Sequence, residues 1–299
     1  MSQEQIDCIV RFHDARRLLE LKRCVFSLVG QTYRPLNIIL TVQRFSAAEI
    51  EATRQALEPV LRLPNAPTLT IANWDEPAPS DARTALLNLG LRTGQGRYVA
   101  FLDYDDVLYP EAYELLIRQL RKAGAGIVFA TVRVVRAQVH PYFVQVREVI
   151  TRPPFSGETL LDLFKHNFCP IHSYLLDRAA IPGHLLQFDE TLSHEEDYDF
   201  LLRICAEVRS DFELIKVPVG DYYYKTDGSN SVPTEGGLSG EKLAAYERLQ
   251  TTLEARRRTT LVSRVVQEAL GVSPTRTNMS IRDTMRALSV REEMMAQKR

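Results

Sequence analysis

Apolar and polar positions along this chain alternate between two rhythms. Residues 6–12 are a short apolar run, residues 18–28 carry apolar side chains at helical spacing, and residues 36–42 are apolar again. Strand, helix and strand at these separations make a βαβ unit, which predicts a parallel sheet with right-handed crossovers. The pattern continues with a helix over 47–61, a strand over 68–72 and a helix over 82–93.

Gly94-Gln95-Gly96 closes that helix, and the run RYVAFL over 97–102 has the continuous apolar character of a central strand covered on both faces. Four residues, Asp103-Tyr104-Asp105-Asp106, stand where this strand stops. Pro110 opens a helix to about 122, and 127–135 reads as a strand. Residues 138–156 are β-rich and punctuated by proline, which departs from the earlier alternation. Helices are expected over 160–166 and 194–208, and strands over 169–177 and 214–224. After a polar, glycine-bearing stretch the chain turns helical and strongly charged, so a boundary is expected at 234/235. Leu243, Tyr246, Leu249 and Leu253 fall at helical spacing there. These helices are expected to pack on the first domain, on a second copy of the chain, or through Arg256-Arg257-Arg258 against a membrane surface.

Composition changes this picture little. With 299 residues, 45% hydrophobic and 25% charged, the chain has the proportions of a soluble globular protein. A formal net charge of -1 supplies no general field for nucleic acid, so a bound anion must be gripped locally. No apolar run has the ~18 residues of a spanning helix. The first residues lack a basic region followed by an apolar core, which places the chain in the cytoplasm by expectation, including the inner face of the membrane. The four cysteines are scattered in apolar settings with no zinc-like spacing, as buried reduced thiols are.

The chemistry concentrates in two acidic stretches. In open α/β sheets ligands bind at the carboxyl ends of the strands, and three acids crowded there repel one another unless a cation or buried donor compensates. Alternation in an extended segment would put Asp103 and Asp105 on one side. Hard divalent cations such as Mn2+ or Mg2+ take oxygen ligands shared between one or two carboxylates and substrate phosphates. The plainer reading is a solvated turn capping the helix at Pro110. The second stretch, HEEDYDFLLRI over 194–204, brings Glu195, Glu196 and Asp197 together. An acidic helix N-terminus is its plainer reading.

The stretch VAFLDYDDVLYP follows the Phe-Leu-Asp-x-Asp-Asp-x-x-x-Pro pattern of family 2 glycosyltransferases of the GT-A fold, the family's form of the DXD motif. RCVFSLVGQTY, ARTALLNLGLRTGQGRY, HEEDYDFLLRI and YYYKTDGSNS resemble further stretches of that family in its own order, covering about residues 6–231. The resemblance implies an α/β, Rossmann-like GT-A domain over 1–234, with a mostly parallel central sheet flanked by helices, and a C-terminal helical extension over 235–299. It implies inverting transfer of a sugar from a nucleotide-diphosphate sugar, a UDP-sugar first, to a hydroxyl of a saccharide or glycolipid acceptor in bacterial surface polysaccharide synthesis.

By the same resemblance, Asp197 is the catalytic base, Asp103 and Tyr104 lie against the nucleotide, Asp105 ligates the metal and Asp106 supports the site. Arg11, His13 and Arg83 stand where the family holds the base, and Lys225 and Ser229 where the diphosphate is gripped. His172 and Glu196 are placed in the acceptor or sugar pocket, and Trp74 is a stacking candidate. Two departures stand out. Gln43 replaces an aspartate that recognises uracil, and the closing loop lacks its metal-binding histidine, leaving Asp227 as the substitute oxygen ligand. Two rival readings remain at this stage. One is a haloacid dehalogenase-type phosphatase with Asp103 as nucleophile. The other is a non-catalytic nucleotide-sugar binding protein.

Overall fold

The structure is a computed structural model that describes residues 4–140, 142–151, 153, 156–192, 194–225, 240–272 and 278–296. In chain order the first half comprises β1 (Ile6–Phe12), α1 (Leu18–Val29), β2 (Leu36–Gln43), α2 (Ala47–Leu61), β3 (Thr68–Trp74), α3 (Arg83–Thr93), β4 (Tyr98–Asp103), β5 (Val107–Leu108) and α4 (Ala112–Ala123). There follow β6 (Ile127–Val139), β7 (Val144–Val149), α5 (Leu160–Lys165), β8 (Tyr174–Asp177), α6 (Glu196–Glu207), β9 (Ser210–Lys225), α7 (Gly240–Thr259), α8 (Arg264–Ala269) and α9 (Ile281–Ala296).

The strands form one sheet in the order β3-β2-β1-β4-β8-β6-β9-β5, with β7 paired to β6. The first four are parallel, as the repeated strand-helix rhythm predicts, and β6 runs parallel to β9. The short β8 enters antiparallel between β4 and β6, and β5, which the sequence reading did not include, pairs antiparallel with β9. A two-residue strand has no periodicity to detect. The α/β architecture expected is therefore present, with antiparallel elements on one side of a parallel core.

Period-two alternation divides the central strands between two apolar layers. Cys8 and Val10 of β1 and Ala100 and Leu102 of β4 pack on the side of Leu21, Val25, Leu116 and Leu120. Ile9, Val99 and Phe101 pack on the other side, with Leu87, Phe200 and Leu201. Burial on both faces explains why β4 reads as a continuous apolar run. Asp7 is buried at the opposite end of β1, and its Oδ2 accepts from the Gly96 amide at 2.5 Å. A Cβ at Gly96 would lie 2.9 Å from that carboxyl group, so the Gly94-Gln95-Gly96 punctuation serves a close approach as well as a helix end.

The C-terminal helices pack on the α/β domain rather than standing apart. Leu253 of α7, Val262, Val266 of α8 and Ile281 of α9 are buried in the same apolar cluster as Phe200 and Leu201 of α6. Arg256 pairs with Asp199 at 2.5 Å and Asp189 at 3.0 Å. Arg257 is buried and donates to the Phe164 and Lys165 carbonyls and the Tyr198 hydroxyl at 2.8, 2.9 and 2.9 Å. Two arginines of the basic triplet are thus structural, while Arg258 is exposed. Residues 234 and 235, the expected boundary, lie outside those described. No helix among the described residues is long and apolar enough to cross a membrane.

This division predicts unequal costs. Arg257→Ala leaves buried carbonyl groups without donors and should destabilise the protein by about 2–4 kcal/mol, whereas Arg258→Ala should stay within about 0.5 kcal/mol. Urea denaturation of the two variants measures the difference, and equal midpoints would contradict the assignment.

Candidate active site

The site grows from the parallel register of β1 and β4. Arg11 and Asp103 are direct partners across these strands and emerge on the face that carries Ile9, Val99 and Phe101. The Arg11 fork donates to both oxygens of Asp103, at 2.6 and 3.2 Å, and its remaining nitrogen donates to Glu196 Oε1 at 2.7 Å. Glu196 is buried and is the first residue of α6. One guanidinium therefore ties the acidic end of β4 to the acidic start of α6. Burial pushes the Asp103 carboxyl up, but the charge and hydrogen bonds of Arg11 outweigh it and hold the group below its ordinary value.

Beyond Asp103 the backbone leaves the strand. The Asp106 amide donates to the Asp103 carbonyl at 3.0 Å, closing a turn. Asp103 and Asp105 both keep partly exposed side chains while Tyr104 and Asp106 are buried. This turn, rather than extended alternation, sets their side. Tyr104 packs edge-on against Phe12 and beneath the Arg17 guanidinium. Asp105 Oδ2 meets Lys225 Nζ at 2.5 Å, and the same ammonium lies 3.7 Å from Glu20 Oε1. Lys225 and Glu20 are both buried. Arg17 pairs with Glu20, and Arg23 donates to the Asp105 carbonyl at 2.6 Å.

Asp106 turns under the loop. Its Oδ1 accepts from the Tyr223 amide of β9 at 2.8 Å, and its Oδ2 lies 3.5 Å from His172 Nδ1. Burial, then the charges of Asp105 and Asp103, push the Asp106 carboxyl well up. Burial lowers the His172 imidazole to about 4, so it is neutral at pH 7 and offers Asp106 no positive charge. His172 stacks on Tyr222 with a fully buried side chain, under the acidic turn and not on an open sugar pocket.

At the start of α6, Glu195 adopts a left-handed backbone at φ 56°, a conformation that costs a non-glycine residue about 1–2 kcal/mol. It aims Glu195 and Asp197 at the Asn167 amide, which donates to them at 3.1 and 3.5 Å. The Tyr198 amide also donates to Asp197 at 2.8 Å. Burial, reinforced by Glu196 and Glu195, raises the Asp197 carboxyl to about 8 against the opposing pull of Arg11. Asp199, two residues on, is fully buried and committed to Arg203 and Arg256. The helix thus directs one acid to the site and one to the core.

The remaining expected residues fall as follows. His13 is exposed at the end of β1, with its ring edge on Tyr104. The Gln43 amide is engaged by the Ser80 carbonyl at 2.7 Å and the Ala82 amide at 3.3 Å, and Arg83 pairs with Asp81 at 2.8 Å. Trp74 lies under Arg44, which itself has φ 53°. Ser229 and Asp227 lie outside the described residues. Sequence reasoning missed Arg17, Glu20, Arg23 and Asn167. For Glu20 there was a signal, an acid directly beside the apolar face of α1.

Among the described residues no three acidic, histidine or cysteine side chains converge as a metal cage. Two carboxylates, Asp105 and Glu20, do converge on one cation, the Lys225 ammonium. That oxygen donor set suits a hard divalent ion shared with substrate phosphates.

Residues 80–182, which span α3, β4, the acidic turn and β8, match the family model described as Glycosyl transferase family 2. Over this stretch the chain is similar to family 2 glycosyltransferases. Over 98 residues it is 31% identical to the uncharacterized glycosyltransferase YibD of Escherichia coli (strain K12), covering 33% of this chain and 26% of YibD. Over 125 residues it is 28% identical to the succinoglycan biosynthesis protein ExoO of Rhizobium meliloti (strain 1021), covering 40% of this chain and 36% of ExoO. The matched segments are about a quarter to a third of these relatives' lengths. The fold is shared with S. aureus TarS 1-349 in its complex with UDP-GlcNAc, at TM-score 0.60 and 13% identity, covering 89% of this chain and 71% of that one. The phosphatase alternative required Asp103 as nucleophile, but both its oxygens are taken up by Arg11.

The raised Asp197 group has a stability consequence. An unfolded aspartate titrates near pH ~3.9, and the folded one at about 8. The folded state holds the proton more tightly, so the stabilisation is complete below about pH 4 and lost as pH rises through about 8. Asp197→Asn should therefore raise the melting temperature by a few degrees at pH 9, with the gain shrinking towards pH 5. Differential scanning fluorimetry across that range checks this, and a gap independent of pH would contradict it.

Proposed function

We propose that this chain is an inverting glycosyltransferase that moves a sugar from a nucleotide-diphosphate sugar to a hydroxyl of a saccharide or glycolipid acceptor. The observation that carries this reading is Arg11, which holds the Asp103 end of β4 and the Glu196 end of α6 on one guanidinium. A transferase needs two poles, one for a negatively charged leaving group and one for a hydroxyl proton. Asp105, Lys225 and Glu20 suit the first, and Asp197 the second.

In this reading Asp197 takes the proton from the acceptor hydroxyl as that oxygen attacks the anomeric carbon. The bond from that carbon to the diphosphate oxygen breaks on the opposite face, and the electron pair leaves with the nucleoside diphosphate. A base titrating near 8 is strong enough to share the proton and is partly ionised at neutral pH. Lys225, released from Asp105, neutralises the departing diphosphate. Mn2+ or Mg2+, held by Asp105 with Glu20, would supply further charge neutralisation to the same leaving group. Asp227 is the proposed additional ligand.

The TarS complex makes a UDP-sugar the first donor to test, with Gln43 and Arg83 beside the expected base position. The name of ExoO, a succinoglycan biosynthesis protein, supports a role in bacterial polysaccharide biosynthesis. We propose 1–234 as the catalytic unit and 235–299 as its extension.

The test separates the two poles. UDP with Mn2+ should raise the melting temperature of the wild type and of Asp197→Asn, but not of Asp105→Ala. Release of UDP from UDP-GlcNAc in the presence of acceptor extract should fall about 10²–10⁴-fold in Asp197→Asn. Equal shifts in all three proteins, or full turnover in Asp197→Asn, would overturn the proposal.

A further inference from the structure

Arg258, the exposed member of the basic triplet, closes a second site far in sequence from the acidic turn. The end of α7 and the start of α9 are pinned together by backbone hydrogen bonds, Val262 N to Met279 O at 2.8 Å and Ile281 N to Thr260 O at 3.0 Å, and by a bridge between Leu261 and Ser280. Their junction leaves an open depression of about 420 Å³ lined by Arg258, Ser280, Arg282, Asp283 and Arg286. Arg282 and Arg286 are one helical turn apart on α9, so both reach the same side.

The charges in this depression do not cancel. Among the described residues Asp283 is the one acid of the lining, and it is turned back on the helix start, accepting from the Ser280 amide at 3.1 Å and the Ser280 hydroxyl at 2.7 Å. Arg282 has a long contact with Glu254 at 3.7 Å, and Glu254 is also taken by Arg257 at 2.7 Å. Three guanidinium groups against one internally committed carboxylate leave a local excess of positive charge on a chain whose formal net charge is -1. Like charges held in one concave surface repel, and an oxyanion with several acceptor oxygens relieves that repulsion.

We propose that Arg258, Arg282 and Arg286 form a binding site for a phosphoryl group, on a phospholipid headgroup or as free phosphate. The site does not depend on the catalytic reading, because none of its residues touches the acidic turn or the start of α6. It also changes what the basic triplet can do. Arg256 and Arg257 are turned inward, so a phosphoryl group is met by Arg258 together with two residues of α9.

The full chain and the double variant Arg258→Gln/Arg286→Gln test this, because both side chains are exposed and their loss should leave the fold intact. Circular dichroism melts of the variant verify that. Cosedimentation is measured with vesicles of phosphatidylcholine alone and with about one-third phosphatidylglycerol, and melting shifts with inorganic phosphate against chloride at equal ionic strength. Binding that needs phosphatidylglycerol and falls about thirtyfold in the variant identifies a lipid headgroup, since each arginine near an anionic surface is worth about fivefold. A phosphate-specific shift lost in the variant, without vesicle binding, identifies a soluble phosphate. No response in either arm, or an equal response from the variant, overturns the proposal.

Discussion

The site depends on one partly buried ion triad, Asp103, Arg11 and Glu196. Parallel pairing of β1 with β4 puts Arg11 beside Asp103, and the fold of the second half brings the start of α6 over the same face. Without that guanidinium, the carboxylates at the end of β4 and those of Glu195, Glu196 and Asp197 would face one another with no charge between them. Removing a single partner from a buried pair is costly because the remaining charge is stranded. The arginine is thus both a structural tie and the reason that two acidic groups coexist at one end of the sheet.

The triad also lets neighbouring carboxylates differ. Asp103, in direct contact with Arg11, is held below its ordinary range despite burial. Asp197 is raised first by burial and then by repulsion from Glu196 and Glu195, with less relief from Arg11, and reaches about 8. Environments that push two like groups apart are how one site provides both an ionised anchor and a proton acceptor. The left-handed backbone of Glu195 and the buried Asp106 and His172 pair are further places where stability yields to arrangement.

Much of this was legible in the sequence because it rests on local periodicity. β1, α1, α2 and the apolar β4 announce themselves through their spacing, and the acids of 103–106 and 195–197 through crowding. What could not be read were contacts made across the sheet. Glu20 is an acid on α1 until Lys225 arrives from β9, and Asn167 is a loop residue until α6 folds back on it. Arg11 read as a base-binding residue, while the structure commits its fork to two carboxylates. The triplet at 256–258 looked like one basic patch, and the packing of α7 on α6 splits it into two structural residues and one exposed one.

In the proposed mechanism, the environment built around Arg11 leaves Asp197 as the proton-accepting group. The most direct measurement is a carbon-13 NMR titration of aspartate carboxyl groups in the intact protein, with the Asp197 signal assigned by its loss in Asp197→Asn. A midpoint near 8 is the predicted result. A midpoint near ~4, the value of an unperturbed aspartate, would contradict it.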